Sequence, residues 1–152
     1  MWSLLLVTLP TQPTAVRVRT WRALKALGCA SLRDGAYLLP MEQESAFRPL
    51  AEDVRAHGGS ATLFRLTPID EAQHAELVAL FDRGDAYAQW LTSADALQAE
   101  HGSLTETEAR RRCRAAAQAL QDIRAIDYFP GAATEQAAAV QAALRAALDA
   151  RF

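Results

Sequence analysis

The basic side chains are the residues here whose type and spacing best suit them to chemistry, and that chemistry is the neutralisation of phosphate or another anion. Arg17, Arg19, Arg22, Lys25 and Arg33 all precede the first acid, Asp34. The first 33 residues therefore sum to +5, and since the 152-residue chain carries −2, the remaining 119 residues sum to −7. A pI near 5.9 excludes a uniformly basic, histone-like surface and leaves room for a localised patch. If all five cations touched phosphates, log affinity would fall against log salt with a slope of about −4.5. Arg110, Arg111, Arg112 and Arg114 offer a second phosphate-contacting surface, or an oxyanion site if two guanidinium groups converge. Both clusters also have a plainer use. Charged helix faces are commonly solvated and paired with acids elsewhere, and Glu106 stands four residues before Arg110, the spacing of a local ion pair.

Other chemistries find little support. Cys29 and Cys113 are 84 positions apart among apolar neighbours, which gives neither a disulfide framework nor metal-ligand spacing. His57, His74 and His101 are scattered, and His57 before Gly58-Gly59 suits a helix carboxy-terminal position. No metal, no cofactor and no catalytic residue is assigned. There is no G-x-S-x-G, no glycine-rich phosphate loop and no flavin or haem signature, so the chain reads as a non-enzyme. Trp21 could stack on a base, but a tryptophan bordering an apolar helix face is assigned to the core. Asp127-Tyr128-Phe129-Pro130-Gly131 reads as a packed helix-to-helix connection, with Asp127 paired to an arginine such as Arg83 or capping a helix end.

The elements that must position these residues follow from periodicity. Trp2 to Leu9 is a short apolar run stopped by Pro10 and reads as a buried strand. Pro13 suits a first helical turn, and over Thr14 to Leu27 the residues Val16, Thr20, Ala23, Leu24 and Leu27 share one face. Arg19, Arg22 and Lys25 project opposite, with Arg17 and Trp21 at the boundary. Cys29 to Arg33 and Ala36 to Leu39 form a hairpin about Asp34-Gly35. Ser45 to His57 is a second helix and Ala61 to Leu66 a last strand. This βαββαβ order predicts an α+β fold with a ferredoxin-like sandwich over residues 1–67. Residues 68–152 read as an all-helical carboxy-terminal part packed on it. Asp70 with Gln73, and Ser103 with Glu106, resemble capping boxes; Gly84-Asp85 kinks or divides the first helical stretch. Cys113, Ala116, Leu120 and Ile123 face the core of the next helix, and Val140, Leu144 and Leu148 form the seam of an alanine-rich last one. The apolar run near the start is too short to span a bilayer and has no basic flank, so a cytoplasmic protein without membrane association is expected.

The words Leu9-Pro10, Arg17-Val18-Arg19, Trp21-Arg22-Ala23-Leu24-Lys25, Leu32-Arg33-Asp34-Gly35 and Tyr37-Leu38-Leu39-Pro40, taken together, resemble the amino-terminal domain of the ChrB chromate-resistance proteins. Gly58-Gly59, Leu80-Phe81-Asp82-Arg83 and Asp127-Tyr128-Phe129-Pro130-Gly131 follow in the family's order, so the likeness covers most of the chain. The resemblance implies a bacterial transcriptional regulator of a chromate-efflux operon whose amino-terminal part binds promoter DNA. Response to chromate would then belong to a carboxy-terminal domain that the family carries beyond the position of Phe152. On this reading Arg17, Arg19, Arg22, Lys25 and Arg33 contact phosphates, Arg110, Arg111 and Arg114 assist, and a homodimer matches a palindromic operator. The ferredoxin-like half also resembles the small subunit of the CRISPR integrase and the middle domain of PaaX-type repressors. Nuclease versions of that fold place an aspartate just after the first strand. Leu9-Pro10-Thr11-Gln12 offers no carboxylate there, so metal-dependent phosphodiester cleavage lacks its residue. Two other readings remain: a non-catalytic module that packs its basic face on an acidic partner, and an oxyanion (chromate or sulfate) sensor.

Overall fold

The computed structural model describes residues 1–11 and 14–152; Pro13, expected in the first turn of the first helix, lies outside the described residues. The chain is α+β and mostly helical. In order it forms β1 (Trp2–Thr8), α1 (Thr14–Leu27), β2 (Ala30–Arg33), β3 (Ala36–Pro40), α2 (Arg48–Ala56), β4 (Ser60–Leu66), α3 (Glu71–Ala79), α4 (Gly84–Glu100), α5 (Glu106–Ala125) and α6 (Ala132–Arg151). The strands make one antiparallel sheet in the order β2-β3-β1-β4. No helix among the described residues is long and apolar enough to cross a membrane.

β1 occupies the sheet interior, with Leu4 opposite Leu38 and Phe64, and Leu5 opposite Tyr37 and Leu63. Directly opposed residues share a face, so Trp2 and Leu38 lie on one side of the sheet and Leu5 and Leu39 on the other. All four are buried. Coverage on both sides explains why β1 reads as a continuous apolar run rather than an alternating one. Gly35 makes the β2–β3 turn possible in two ways. Its φ of +81° suits a residue without a Cβ, and a Cβ there would sit 2.7 Å from the carbonyl oxygen of Val7, whose N–H donates to the Gly35 carbonyl at 2.8 Å.

Two compact units divide the chain, Met1–Phe81 and Asp82–Phe152. The first runs past the change of periodicity at residue 67 because the chain returns to β1: the Phe81 ring stacks on Trp2 with centroids 5.6 Å apart, and the His74 ring lies 5.8 Å from the same indole. The second helix does not begin at Ser45. A 3-10 segment, Met41–Phe47, comes first and α2 starts at Arg48. Pro49 explains the reset, since it has no N–H to bond back to Ser45 and so cannot continue an α-helical ladder across this point.

In the second unit, Tyr87, Trp90, Ala94, Leu120 and Ala137 form one buried cluster, and Leu97, Ala109, Cys113, Leu144 and Leu148 another. The Trp90 indole N–H donates to the Ala116 carbonyl at 2.8 Å, which satisfies its single polar group inside the core. The helical stretch after Pro68 is divided, and the Asp82 carboxylate accepts from the Gly84 N–H at 2.8 Å where α4 begins. The cap of α5 is Thr105, whose hydroxyl accepts from Glu108 N–H at 3.2 Å, not Ser103. Ser103 is held in a 3-10 turn, His101–Ser103, and its hydroxyl donates to the Glu100 carbonyl. Asp127 does not pair with Arg83. Its carboxylate accepts the Tyr87 hydroxyl at 2.6 Å and the Thr134 hydroxyl at 2.7 Å, while Arg83 Nε donates to the Ile126 carbonyl.

Phe81 is 1% exposed, so Phe81→Ala is expected to lower unfolding stability in urea by about 3–5 kcal/mol. Asp127→Ala removes a charged acceptor shared by two partly buried hydroxyls, leaving Tyr87 and Thr134 only each other at 3.1 Å, and should cost about 1–3 kcal/mol in the same measurement.

Candidate nucleic-acid interface

α1 is positioned by the burial of Val16, Thr20 and Leu24, with Ala23 and Leu27 partly buried beside them. At about 100° per residue this core stripe puts Val18, Arg22 and Lys25 near the centre of the opposite face and Trp21 toward its border. Arg17, Trp21 and Lys25 fall one turn apart, and Val18 and Arg22 run alongside them. All five are exposed. Trp21 is therefore not a core residue: it is 58% exposed, and the Lys25 ammonium stands 5.0 Å from the centre of its ring. Its border position in the helical projection is left uncovered by the described residues of the first unit.

Arg19 lies off the solvent face. Roughly a quarter-turn from the core centre, it reaches α2, where Nε and Nη2 donate to the two carboxylate oxygens of Asp53 at 3.0 and 3.2 Å. The planar fork of the guanidinium matches the carboxylate and ties α1 to α2. His57 joins the same carboxylate, with Nδ1 3.3 Å from Asp53 Oδ1 and 2.8 Å from the Asp53 carbonyl. Arg17, Arg22 and Lys25 have no carboxylate partner among the described residues, nor does Arg33, exposed at the end of the edge strand β2.

The second cluster divides in the same manner. Arg110 Nη1 donates to Asp149 of α6 at 2.6 Å, while the expected local partner Glu106 is farther, at 3.9 Å. That hydrogen bond to Asp149 raises the Arg110 pKa further. Arg112 donates to Glu100 at 2.7 Å. Arg111 and Arg114 are exposed and, among the described residues, have no carboxylate partner. α1 belongs to the first compact unit and α5 to the second. Among the described residues, no group of three or more His, Cys, Asp or Glu side chains is placed to hold a metal ion.

Sequence reasoning overlooked Trp21 and Val18 as surface residues. The available signal was the i, i+4, i+8 spacing of Arg17, Trp21 and Lys25, which puts a tryptophan between two cations on one stripe.

These features define an α+β protein with a basic, partly apolar helix face backed by a four-stranded sheet. The chain is 36% identical over 150 residues to Protein ChrB of Cupriavidus metallidurans, a match that covers 97% of this chain and 46% of that protein. This chain is a relative of ChrB, and the match is consistent with a ChrB-type amino-terminal domain. It spans about half the length of the curated relative it matches. No family model and no solved structure matches it.

The hydrogen bond from Arg19 holds the Asp53 carboxyl below its ordinary value of 3.8, aided by the charges of Arg19 and His57 and opposed by partial burial. A depressed carboxyl contributes stability above its unfolded pKa and loses it as pH falls through the folded value. The Asp53 carboxyl resonance should therefore titrate below 3.8 in the wild type and move up toward it in Arg19→Ala. An unchanged midpoint would show that the Arg19–Asp53 contact is not held in solution.

Proposed function

We propose that this chain is the DNA-contacting part of a transcriptional regulator of chromate resistance, and that the solvent face of α1 is its contact surface. One observation carries the reading: an indole 58% exposed, capped by Lys25 and flanked by Arg17 and Arg22, neither of which has a carboxylate partner among the described residues. Unpaired guanidinium and ammonium groups release counterions when they meet phosphates, and an exposed aromatic among them can stack on a base or a sugar edge. Arg33 adds a fourth cation in the same unit, while Arg19 stays with Asp53 and holds α1 in place. Arg111 and Arg114 act as a secondary phosphate surface. Relationship to ChrB supports the regulatory setting, with promoter DNA as partner and the chromate response assigned to the remainder of a ChrB-length protein.

The fold fits the same reading. The strand order β2-β3-β1-β4, with helices in the β1–β2 and β3–β4 connections, supports a ferredoxin-like sandwich. β2 and β4 are its edges, and pairing of an edge between protomers would give the two-fold dimer that a palindromic operator needs. Val18 and Trp21 favour one second reading, an interaction module that sets this stripe against an acidic protein partner.

Retardation of a duplex carrying the promoter region separates the two. Arg17→Glu with Arg22→Glu should abolish it while the circular-dichroism spectrum is kept, and Trp21→Ala should weaken it. With four unpaired cations in contact, log affinity should fall against log salt with a slope of about −3.6 per protomer. Retardation that survives the double charge reversal removes α1 as the interface.

A further inference from the structure

β4 closes one side of the sheet and β2 the other. Hydrogen-bond parity decides which backbone groups of β4 face outward. Val7 of β1 donates to the Gly35 carbonyl at 2.8 Å, so the odd-numbered residues of β1 bond toward β3 and the even-numbered ones toward β4. Leu4 with Phe64 and Leu6 with Thr62 are therefore bonded pairs, which turns the N–H and C=O groups of Ala61, Leu63 and Arg65 away from the sheet. One of these groups is taken: Arg55 of α2 donates to the Ala61 carbonyl through Nε at 2.9 Å and Nη2 at 2.6 Å. Among the described residues, the outward backbone groups of Leu63 and Arg65 have no partner.

The two edges are guarded unequally. β2 is four residues long, its register is broken between Ser31 and Arg33, and the Ser31 hydroxyl donates to the Arg33 carbonyl at 3.4 Å. Short, bulged edges resist pairing. β4 is seven residues long, pairs with β1 without a break, and contains neither lysine nor proline. It also carries Phe64, 48% exposed, on the same face as Leu6 of β1, which is 41% exposed. A long, regular, apolar edge left open is a template for another strand.

We infer that β4 pairs antiparallel with β4 of a second copy, in a register set by Arg55. Two such edges related by a dyad can bond only through residues that turn their groups outward, and a pair that includes Ala61 would need the carbonyl that Arg55 holds. The longest pairing within the strands that spares it sets Leu63 of one protomer against Arg65 of its partner, and the reverse, each exchanging N–H and C=O bonds. Phe64 then meets Phe64 of its partner in the non-bonded pair at the dyad, where Cα atoms stand about 4.5 Å apart and side chains are closest. Charge fits as well. Arg65 is held by Glu44 through Nε at 2.9 Å and Nη2 at 2.8 Å, so the arginines on either side of the dyad each bring a counter-charge. The occupant is a second copy because the free groups of Leu63 and Arg65 are answered by the same groups turned about the dyad. This seam gives the two-fold dimer of the proposed function its edge, and it rests on that reading for its use at an operator, not for its existence.

Sedimentation equilibrium of the full chain, without nucleic acid, tests this. A seam of one strand is small for a protein interface, so a concentration-dependent equilibrium of monomer and dimer is expected. Phe64→Lys should raise the dimer Kd about tenfold or more. Phe64 is exposed, so thermal unfolding of that variant should stay near that of the wild type. Disulfide trapping reads the register. Under mild oxidation the Phe64→Cys protein should form a covalent dimer through position 64, since the Cα spacing at the dyad falls within the disulfide range of about 4.4–6.8 Å, and the Leu63→Cys protein should not link through position 63. Peptide mapping distinguishes these links from any through Cys29 or Cys113. Linkage through position 63, or none through position 64, would overturn the register. A monomer at every concentration up to about 1 mM, or a Kd unchanged by Phe64→Lys, would overturn the seam itself. The charge-reversed Arg17→Glu, Arg22→Glu protein should dimerise as the wild type does, which separates failure of the seam from failure of the DNA reading.

Discussion

The need to cover β1 on both faces organises the first unit. Trp2 and Leu5 point to opposite sides of the sheet and both are buried, so material must pack above and below a strand only seven residues long. One consequence is that the chain cannot leave the sheet when β4 ends. α3 and the residues after it return to place Phe81 and His74 on Trp2. Another is that α1 must turn Val16, Thr20 and Leu24 inward, which decides which of its residues reach solvent. The exposed stripe of Val18, Trp21, Arg22 and Lys25 is what remains when that inward demand has been met.

Charge pairing then sorts the cations that the composition only counts. Asp53 takes Arg19, Asp149 takes Arg110, and Glu100 takes Arg112. Each of these pairs crosses between elements, and their worth as stabilisers is modest because they are solvated. Their larger effect is positional. They remove particular guanidinium groups from the pool available to an anion and leave others unopposed, so a cluster that looks uniform along the chain is divided into structural and available members.

Much of the fold was legible because its signals are local. Leu27-Gly28 ends α1 and Asp34-Gly35 turns the hairpin at the residues where the sequence places those signals. Local signals fail where two of them overlap or where distance in sequence is large. Ser103 with Glu106 and Thr105 with Glu108 both satisfy the capping pattern, and periodicity cannot choose between caps two residues apart. The partner of Arg19 is 34 residues away, and that of Arg110 is 39. Trp21 was misplaced for a related reason: a border residue on a helix is buried or open according to what packs beside it, which α1 alone does not encode. Of the candidate surface, the cations were legible, and the aromatic between two of them was not.

Trp21 differs from the other two tryptophans in a way that bears on how the molecule can be observed. Trp2 and Trp90 are buried, whereas Trp21 stands in water beneath an ammonium group. Indole emission is sensitive to polarity and to nearby charge, so the three fluorophores divide into two shielded reporters, one in each unit, and one solvated reporter on the basic stripe. The native protein thus carries an intrinsic optical probe on that stripe, and its response to an added molecule can be followed without any label.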